Sequence, residues 1–249
     1  MEADLRFAHE LADAADAITL GRFRALDLQV ETKPDLTPVS EADRAAEQAI
    51  RSLVAERRAG EGVLGEEGGG ADATGASRWI VDPIDGTRYF VRGAPLWATL
   101  LALEREGVVD VALVSAPALG RRWWAVRGGG AWADGVRCRV SQVARIDDAI
   151  VCTTSARDMP PGWSRLAARA WVEGRFGDFW QYCLLAEGAV DVASDEELDV
   201  WDYAAPRLIV EEAGGRCTTF AGEAPAAGAS FIASNGAVHA DALALLEAP

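Results

Sequence analysis

An apolar run that ends in two carboxylates constrains this chain more than any other feature. Residues 78–90 read RWIVDPIDGTRYF. Trp79, Ile80 and Val81 have the composition of a buried strand. Asp82 and Asp85 follow at its carboxyl end, where ligand sites of α/β sheets concentrate. Pro83 fixes φ and lacks a donor, so the chain is expected to turn there. Gly86 permits a positive φ and close backbone approach, and Thr87 falls where a helix can begin. Free amides at a helix start bind phosphate. The loop therefore offers two hard oxygen ligands beside an anion cradle. Magnesium seeks about six oxygens and usually shares a substrate phosphate, so two carboxylates are too few for a two-metal site.

The same grammar recurs twice. In VLGEEGGG a short apolar strand runs into Glu66 and Glu67, and in VWDYAAPRLIVEEAGG Asp202 follows Val200 and Trp201 and precedes a helix. Ala204, Ala205, Leu208 and Ile209 form that helix's packing face. Pro206 is tolerated only in a first turn, which places the helix start at Asp202. Taken singly, an Asp before a helix reads as an N-cap and GEE as a solvated loop. Three such carboxylate sites in one chain point instead to a shared cation.

Charge supports that cation. The 24 basic and 39 acidic residues of this 249-residue chain leave a net of −15. Nucleic acid and anionic membrane are thereby excluded as main partners. An anionic small substrate requires a local reversal of sign, which a divalent cation provides. His9 and His239 are the only histidines and Lys33 the only lysine. A Ser/His/Asp triad, a His-rich zinc site and a P-loop are hard to build from these. Both histidines are expected at the surface. Cys138, Cys152, Cys183 and Cys217 form no CxxC pair and read as structural thiols of a reducing compartment. The first residues lack the basic and apolar regions of a secretory signal, and no apolar run approaches the roughly 20 residues of a membrane helix. A cytoplasmic location is the expectation.

Periodicity places helices over 4–24, over about 41–57 with Ser40 as N-cap, over 163–173, 180–188, 203–213 and 237–247. Strands are expected at Gly62–Leu64, at 79–81, as two strands around Glu106-Gly107 within 97–116, as the pair RWWAV and VRCRV, at Ile150–Thr153, in GAVDVAS and near 230–234. The mixed alternation is that of a layered α/β protein. It reads as a single unit over 1–249, with an α+β half over about 1–140 and an α/β half over about 141–249.

GEE at 65–67, WIVDPIDGT at 79–87 and WDYAAPRLIVEEAGG at 201–215, with TPVSEADRAAE at 37–47, resemble the inositol monophosphatase family of lithium-sensitive, magnesium-dependent phosphatases. GVLGEE, FVRGAPLWA, VSAPALGRRWWAVRGGGA and FGDFWQYCLLAEGAVDVA look most like its bacterial histidinol-phosphatase branch. The resemblance implies an α/β/α/β/α sandwich, a homodimer, and two or three Mg²⁺ ions per site, with Mn²⁺ able to substitute. It implies side-chain metal ligands at Glu66, Asp82, Asp85 and Asp202 and a carbonyl ligand at Ile84. Thr87, hydrogen-bonded to Asp43, would position the attacking water, with Glu66 in the same catalytic group. The Gly86 and Thr87 amides would hold phosphate, and Asp202 would also face the substrate. Asp195 matches a position that touches the substrate's alcohol portion, and Asp178 lies in the specificity segment. The implied reaction is in-line attack by metal-activated water, with no covalent intermediate.

The sequence departs from that pattern where substrate is chosen. Tyr89 stands where many relatives carry Asn, and TSARDMPPGW after Thr153 is shortened. A small-molecule phosphate ester is the expected partner, histidinol phosphate first and a sugar or inositol phosphate as the alternative. A non-catalytic phosphate-binding homologue would have lost a metal ligand, and none is lost. The aspartyl-phosphate phosphatases are excluded because their Asp-x-Asp-Gly-Thr motif spaces the carboxylates one residue closer.

Overall fold

The computed structural model describes residues 1–34, 36–70 and 76–247. A short hairpin joins β1 (Val30–Thr32) to β2 (Pro38–Ser40). A seven-stranded sheet follows chain order from β3 (Gly62–Gly65) through β4 (Ser77–Asp85), β5 (Ala98–Arg105), β6 (Val108–Ala116), β7 (Arg121–Val126) and β8 (Gly130–Ala133) to β9 (Val136–Arg137). Only β3 and β4 are parallel in it. The second sheet has the order β11-β10-β12-β14-β13, from β10 (Ile150–Thr153), β11 (Val172–Gly174), β12 (Val192–Leu198), β13 (Arg216–Thr218) and β14 (Ala229–Ser234). The helices are α1 (Glu2–Arg22), α2 (Glu41–Arg57), α3 (Thr87–Val91), α4 (Gly162–Arg169), α5 (Asp178–Ala186), α6 (Val200–Glu212) and α7 (His239–Glu247).

Side-chain alternation explains the layering. Trp79, Val81, Leu101 and Leu103 point to one face of the large sheet and pack with Phe7, Leu11 and Ile50 of α1 and α2. Ile80, Leu100 and Ala102 point to the other face and pack with Phe179, Tyr182, Leu208 and Ile209 of α5 and α6, which also meet Ala193 and Phe231 of the small sheet. The far face of the small sheet takes Trp163, Leu166, Ala242 and Leu246 of α4 and α7. The result is the expected α/β/α/β/α sandwich. Strands buried on both faces read as continuous apolar runs, as ATLLAL does. Each large side chain buried this way stabilises by about 1.5–3 kcal/mol.

Several elements differ from the sequence expectation. The strand of 79–81 does not turn at Pro83 but continues to Asp85, with a bulge between Asp82 and Asp85. A bulge is where a strand tolerates proline, and the Pro83 carbonyl accepts from the Thr99 hydroxyl at 2.8 Å. The strand beside β7 is β8, with VRCRV contributing only β9, because the Asp134-Gly135 turn has both residues at positive φ, 49° and 84°, as a tight hairpin requires. The helix expected over 163–173 ends at Arg169, since its last residues pair as β11 beside β10. The strand expected in GAVDVAS begins only at Val192 and runs on to Leu198 as β12, and β13 was not anticipated. Helix α6 begins at Val200, two residues before Asp202, so Pro206 sits in its second turn. The Asp202 carbonyl therefore loses the amide that would have bonded it.

Both histidines depart from the expected surface position. His239 is fully buried, its ring nitrogens 2.8 Å from the Ser234 hydroxyl and 2.9 Å from that of Thr218. His9 is half-buried with its ring edge-on to Trp124. All four cysteines are free and buried. Among the described residues no helix is long and apolar enough to cross a membrane.

Candidate active site

The bulge in β4 creates the site. Residues three apart on a regular strand face opposite sides, because side chains alternate with period two. The inserted residue cancels that alternation and lets Asp82 and Asp85 meet. Asp202, third residue of α6, joins them, and one oxygen from each of the three carboxylates falls within 4.8 Å of the others. Asp82 is buried and the other two are half-buried.

Each carboxylate is aimed by a main-chain amide. Asp82 Oδ1 accepts from Ile84 N at 2.9 Å, Asp85 Oδ2 from Phe179 N at 2.6 Å, and Asp202 Oδ2 from Asp199 N at 2.8 Å. Among the described residues, one oxygen of each has no hydrogen-bond donor and stays free for the centre. Burial, with Glu66 and Asp85 nearby, holds the Asp82 carboxyl well above its usual range. Burial and the neighbouring Asp178 do the same to Asp85. Asp202 is pushed up to about 8, chiefly by burial. Among the described residues none of the three pairs with Lys or Arg. Crowded, uncompensated, hard-oxygen carboxylates are what a divalent cation such as Mg²⁺ would neutralise, so this donor set fits the metal.

Glu66 lines the same cavity of about 250 Å³ together with Ile84, Gly86 and Thr87. Its carboxylate lies outside the tight trio and is held by Lys33, at 2.7 Å from Nζ, while Glu67 takes the same ammonium at 2.5 Å. Gly86 has φ of 84°, and a Cβ there would come within 2.6 Å of the Leu96 carbonyl. The Thr87 hydroxyl lies 2.9 Å from the Ile84 carbonyl and 3.2 Å from Asp43 Oδ1. Asp43 is buried as the third residue of α2, where its Oδ2 accepts from the Ser40 amide and hydroxyl and completes a capping box at the N-cap expected from sequence. Burial raises its pKa.

A larger cavity of about 670 Å³ adjoins this one, sharing Asp85, Arg88, Asp178 and Asp202. Apart from Asp85 and Asp202 its carboxylates are those of Asp158, Asp178, Asp195, Glu196 and Glu197, and Arg88 is the one cation among its described lining residues. Asp195 is buried and already occupied. Its Oδ2 accepts from Gln181 Nε2 and the Tyr182 hydroxyl, each at 2.6 Å, and its Oδ1 from Thr154 N at 3.0 Å. Asp178 opens α5 with φ of 45°, in the left-handed region. Burial and the nearby Asp195 charge push its carboxyl up to about 6.

Sequence reasoning missed the supports of these residues. Glu47 accepts from Glu67 N and Gly68 N, each at 2.8 Å, and so fixes the GEE loop. A Cβ on Gly65 would lie 2.4 Å from that carboxylate. Its signal was available, since Asp43 and Glu47 are one helical turn apart on the face that carries Ala46 and Ile50. Thr154, Gln181 and Tyr182 left no comparable signal, because their partners come from distant segments.

Crowded carboxylates that fit a divalent cation, beside the Thr87–Asp43 pair, suit phosphate chemistry, and the chain is a phosphoric monoester hydrolase. The chain belongs to the inositol monophosphatase family, whose sequence profile matches residues 1–248. It is 49% identical to the histidinol-phosphatase of Mycobacterium tuberculosis, covering 98% of each chain. It is likewise 49% identical to that of Streptomyces coelicolor, covering 98% of this chain and 96% of the relative. The fold matches the suhB extragenic suppressor protein of Bartonella henselae with TM-score 0.91, 29% identity and 98% coverage of both chains. An IMPase/NADP phosphatase complexed with Mg²⁺ and phosphate matches with TM-score 0.90, 25% identity, and 98% and 95% coverage.

Proposed function

We propose that this protein is a Mg²⁺-dependent histidinol-phosphatase, cytoplasmic and homodimeric. The observation that carries the substrate is the lining of the larger cavity. Histidinol bears an ammonium and a protonatable imidazole, and a wall that presents Asp158, Asp178, Glu196 and Glu197 with one Arg among its described lining residues favours a cationic alcohol. Inositol and sugars present neutral hydroxyls, which gain less from such a wall. The 49% identity to two histidinol-phosphatases supports the same choice.

Asp82, Asp85, Asp202 and Glu66, with the Ile84 carbonyl, would hold two or three Mg²⁺ ions, Mn²⁺ substituting. Bound there, the metal supplies positive charge to the phosphate and acidifies water. The Thr87 amide opens a helix and has no partner within it, so with Gly86 N it is available to a phosphate oxygen. The Thr87 hydroxyl donates to Asp43 or to the Ile84 carbonyl, which turns its lone pairs toward an incoming water. Asp178 faces both cavities and is placed to accept from the substrate's ammonium. The amides that aim the carboxylates keep them from reorganising as charge develops.

The test is phosphate release in Mg²⁺ from histidinol phosphate, inositol 1-phosphate and a panel of sugar phosphates. The highest kcat/KM is expected for histidinol phosphate. A faster sugar or inositol phosphate overturns the substrate assignment, and full activity in excess chelator overturns the metal.

A further inference from the structure

Asp85 is oriented from outside its own strand, and the path leads into the TSARD segment that follows β10. Asp85 Oδ2 accepts from the amide of Phe179, in the first turn of α5. The preceding residue, Asp178, donates its own amide to the Thr154 hydroxyl oxygen at 2.9 Å. The Thr154 amide in turn donates to Asp195 Oδ1. Asp195 is anchored by Gln181 and Tyr182, one turn further along α5. The first turn of α5 is therefore held from two sides, by Asp85 and by Thr154.

That turn needs holding. Gly177 and Asp178 have φ of 67° and 45°, and the left-handed region strains a non-glycine residue such as Asp178. It persists only where neighbours over-determine it. Without the Thr154 acceptor, residues 177–179 would relax toward ordinary φ values, and the Phe179 amide would leave Asp85. Asp85 would then lose the bond that turns its other oxygen toward the acidic trio. Outer hydrogen bonds of this kind orient metal-binding side chains.

We propose that Thr154 is a positioning residue of the metal centre, acting through the Asp178–Phe179 turn on Asp85. Thr154 lines the alcohol cavity, yet its role is to hold Asp85 rather than to select the substrate. The same geometry makes Asp195, with three donors on its carboxylate, the anchor of Thr154. The inference rests on the metal-binding reading of Asp85, and the wild-type titration below tests that reading separately.

The experiment is calorimetric titration of Mg²⁺ alone into the purified protein without substrate, for wild type, Thr154→Val and Thr154→Ser. Valine keeps the shape and removes the acceptor, whereas serine retains it. Loss of an outer hydrogen bond costs roughly 10–100-fold in metal affinity, so Thr154→Val is expected to weaken Mg²⁺ at least about tenfold and Thr154→Ser to stay within about threefold. Turnover should fall with Mg²⁺ affinity for histidinol phosphate and p-nitrophenyl phosphate alike, since no substrate contact is removed. Should the valine variant not fold, Thr154→Cys, with a weak sulfur acceptor, carries the same comparison. Unchanged Mg²⁺ affinity in the valine or cysteine variant overturns the proposal, as does equal weakening in serine and valine. No Mg²⁺ binding by wild type overturns the underlying metal reading instead.

Discussion

The Thr87 hydroxyl stands 3.2 Å from Oδ1 of Asp43, a contact between the first residue of α3 and the third of α2. Asp43 is fixed by Ser40 through the capping box, so the pair is set by two helix starts rather than by flexible loops. A group that orients water acts mainly in the transition state, and its loss lowers kcat more than it raises KM. Thr87→Ala is expected to reduce kcat by about 10²–10⁴-fold, the usual worth of a positioned proton-handling group, with KM changed by less than about fivefold. Steady-state kinetics decide this. A KM effect with kcat preserved would make Thr87 a phosphate-binding residue only.

The acidic trio strains the metal-free protein in a pH-dependent way. The folded-state pKa of Asp202 is about 8 against an ordinary 3.8. Between those values the folded metal-free protein binds more protons than the unfolded chain, so its stability falls as pH rises. The contribution is fully present below about pH 3.8 and is lost through about pH 8. The melting temperature in chelator is therefore expected to be lower at pH 8 than at pH 5.5, and Mg²⁺ should restore it most at pH 8. Asp202→Asn should flatten the slope, raise the metal-free melting temperature at pH 8 and abolish turnover. A chelated protein that melts higher at pH 8 than at pH 5.5 contradicts the arrangement.

Glu47 joins stability to the site. It is buried, ion-paired to Arg51 at 2.8 Å, and accepts from two amides of the loop that carries Glu66. Deleting its carboxylate leaves the Glu67 and Gly68 amides without their acceptor, and each such loss at a buried position costs roughly 1–3 kcal/mol. Glu47→Ala is expected to destabilise by about 3 kcal/mol in denaturant unfolding and, at temperatures where it remains folded, to weaken Mg²⁺ activation. Glu47→Gln keeps one acceptor oxygen and should lose less of both. Wild-type stability in the alanine variant would remove Glu47 from the support of the site.

How much of this was legible depended on the range of the interactions. Asp82, Asp85 and Asp202 could be read because each directly follows apolar residues, a local pattern. The N-cap at Ser40 was legible for the same reason. The bulge that brings Asp82 and Asp85 together was not, since it exists only relative to β5 and Pro83 alone suggests a turn. Asp202 as a helix start was misjudged because a proline in a second turn is tolerated only where packing elsewhere holds the helix. His239 was expected at the surface, yet two hydroxyls from β13 and β14 satisfy it inside the protein. Lys33 could be named as the sole lysine, but its hold on Glu66 and Glu67 required β1 and β2 to fold over the GEE loop.

Asp178 offers the sharpest test of substrate choice. Asp195 lies in the same cavity but already accepts from three donors, whereas no described donor is bonded to the Asp178 side chain. Asp178 also lines both cavities, so its carboxylate stands between the phosphate and the alcohol. Asn suits the left-handed φ at this position and keeps the shape while removing the charge. A charge-assisted hydrogen bond is worth roughly 1.5–3 kcal/mol. Asp178→Asn is therefore expected to cost histidinol phosphate on the order of 10–100-fold in kcat/KM. p-Nitrophenyl phosphate, which has no ammonium, should lose far less, and a sugar phosphate, bonding through hydroxyls, should fall between them. Equal losses for all three would place Asp178 with the metal ligands instead, acting on the phosphate rather than on the alcohol.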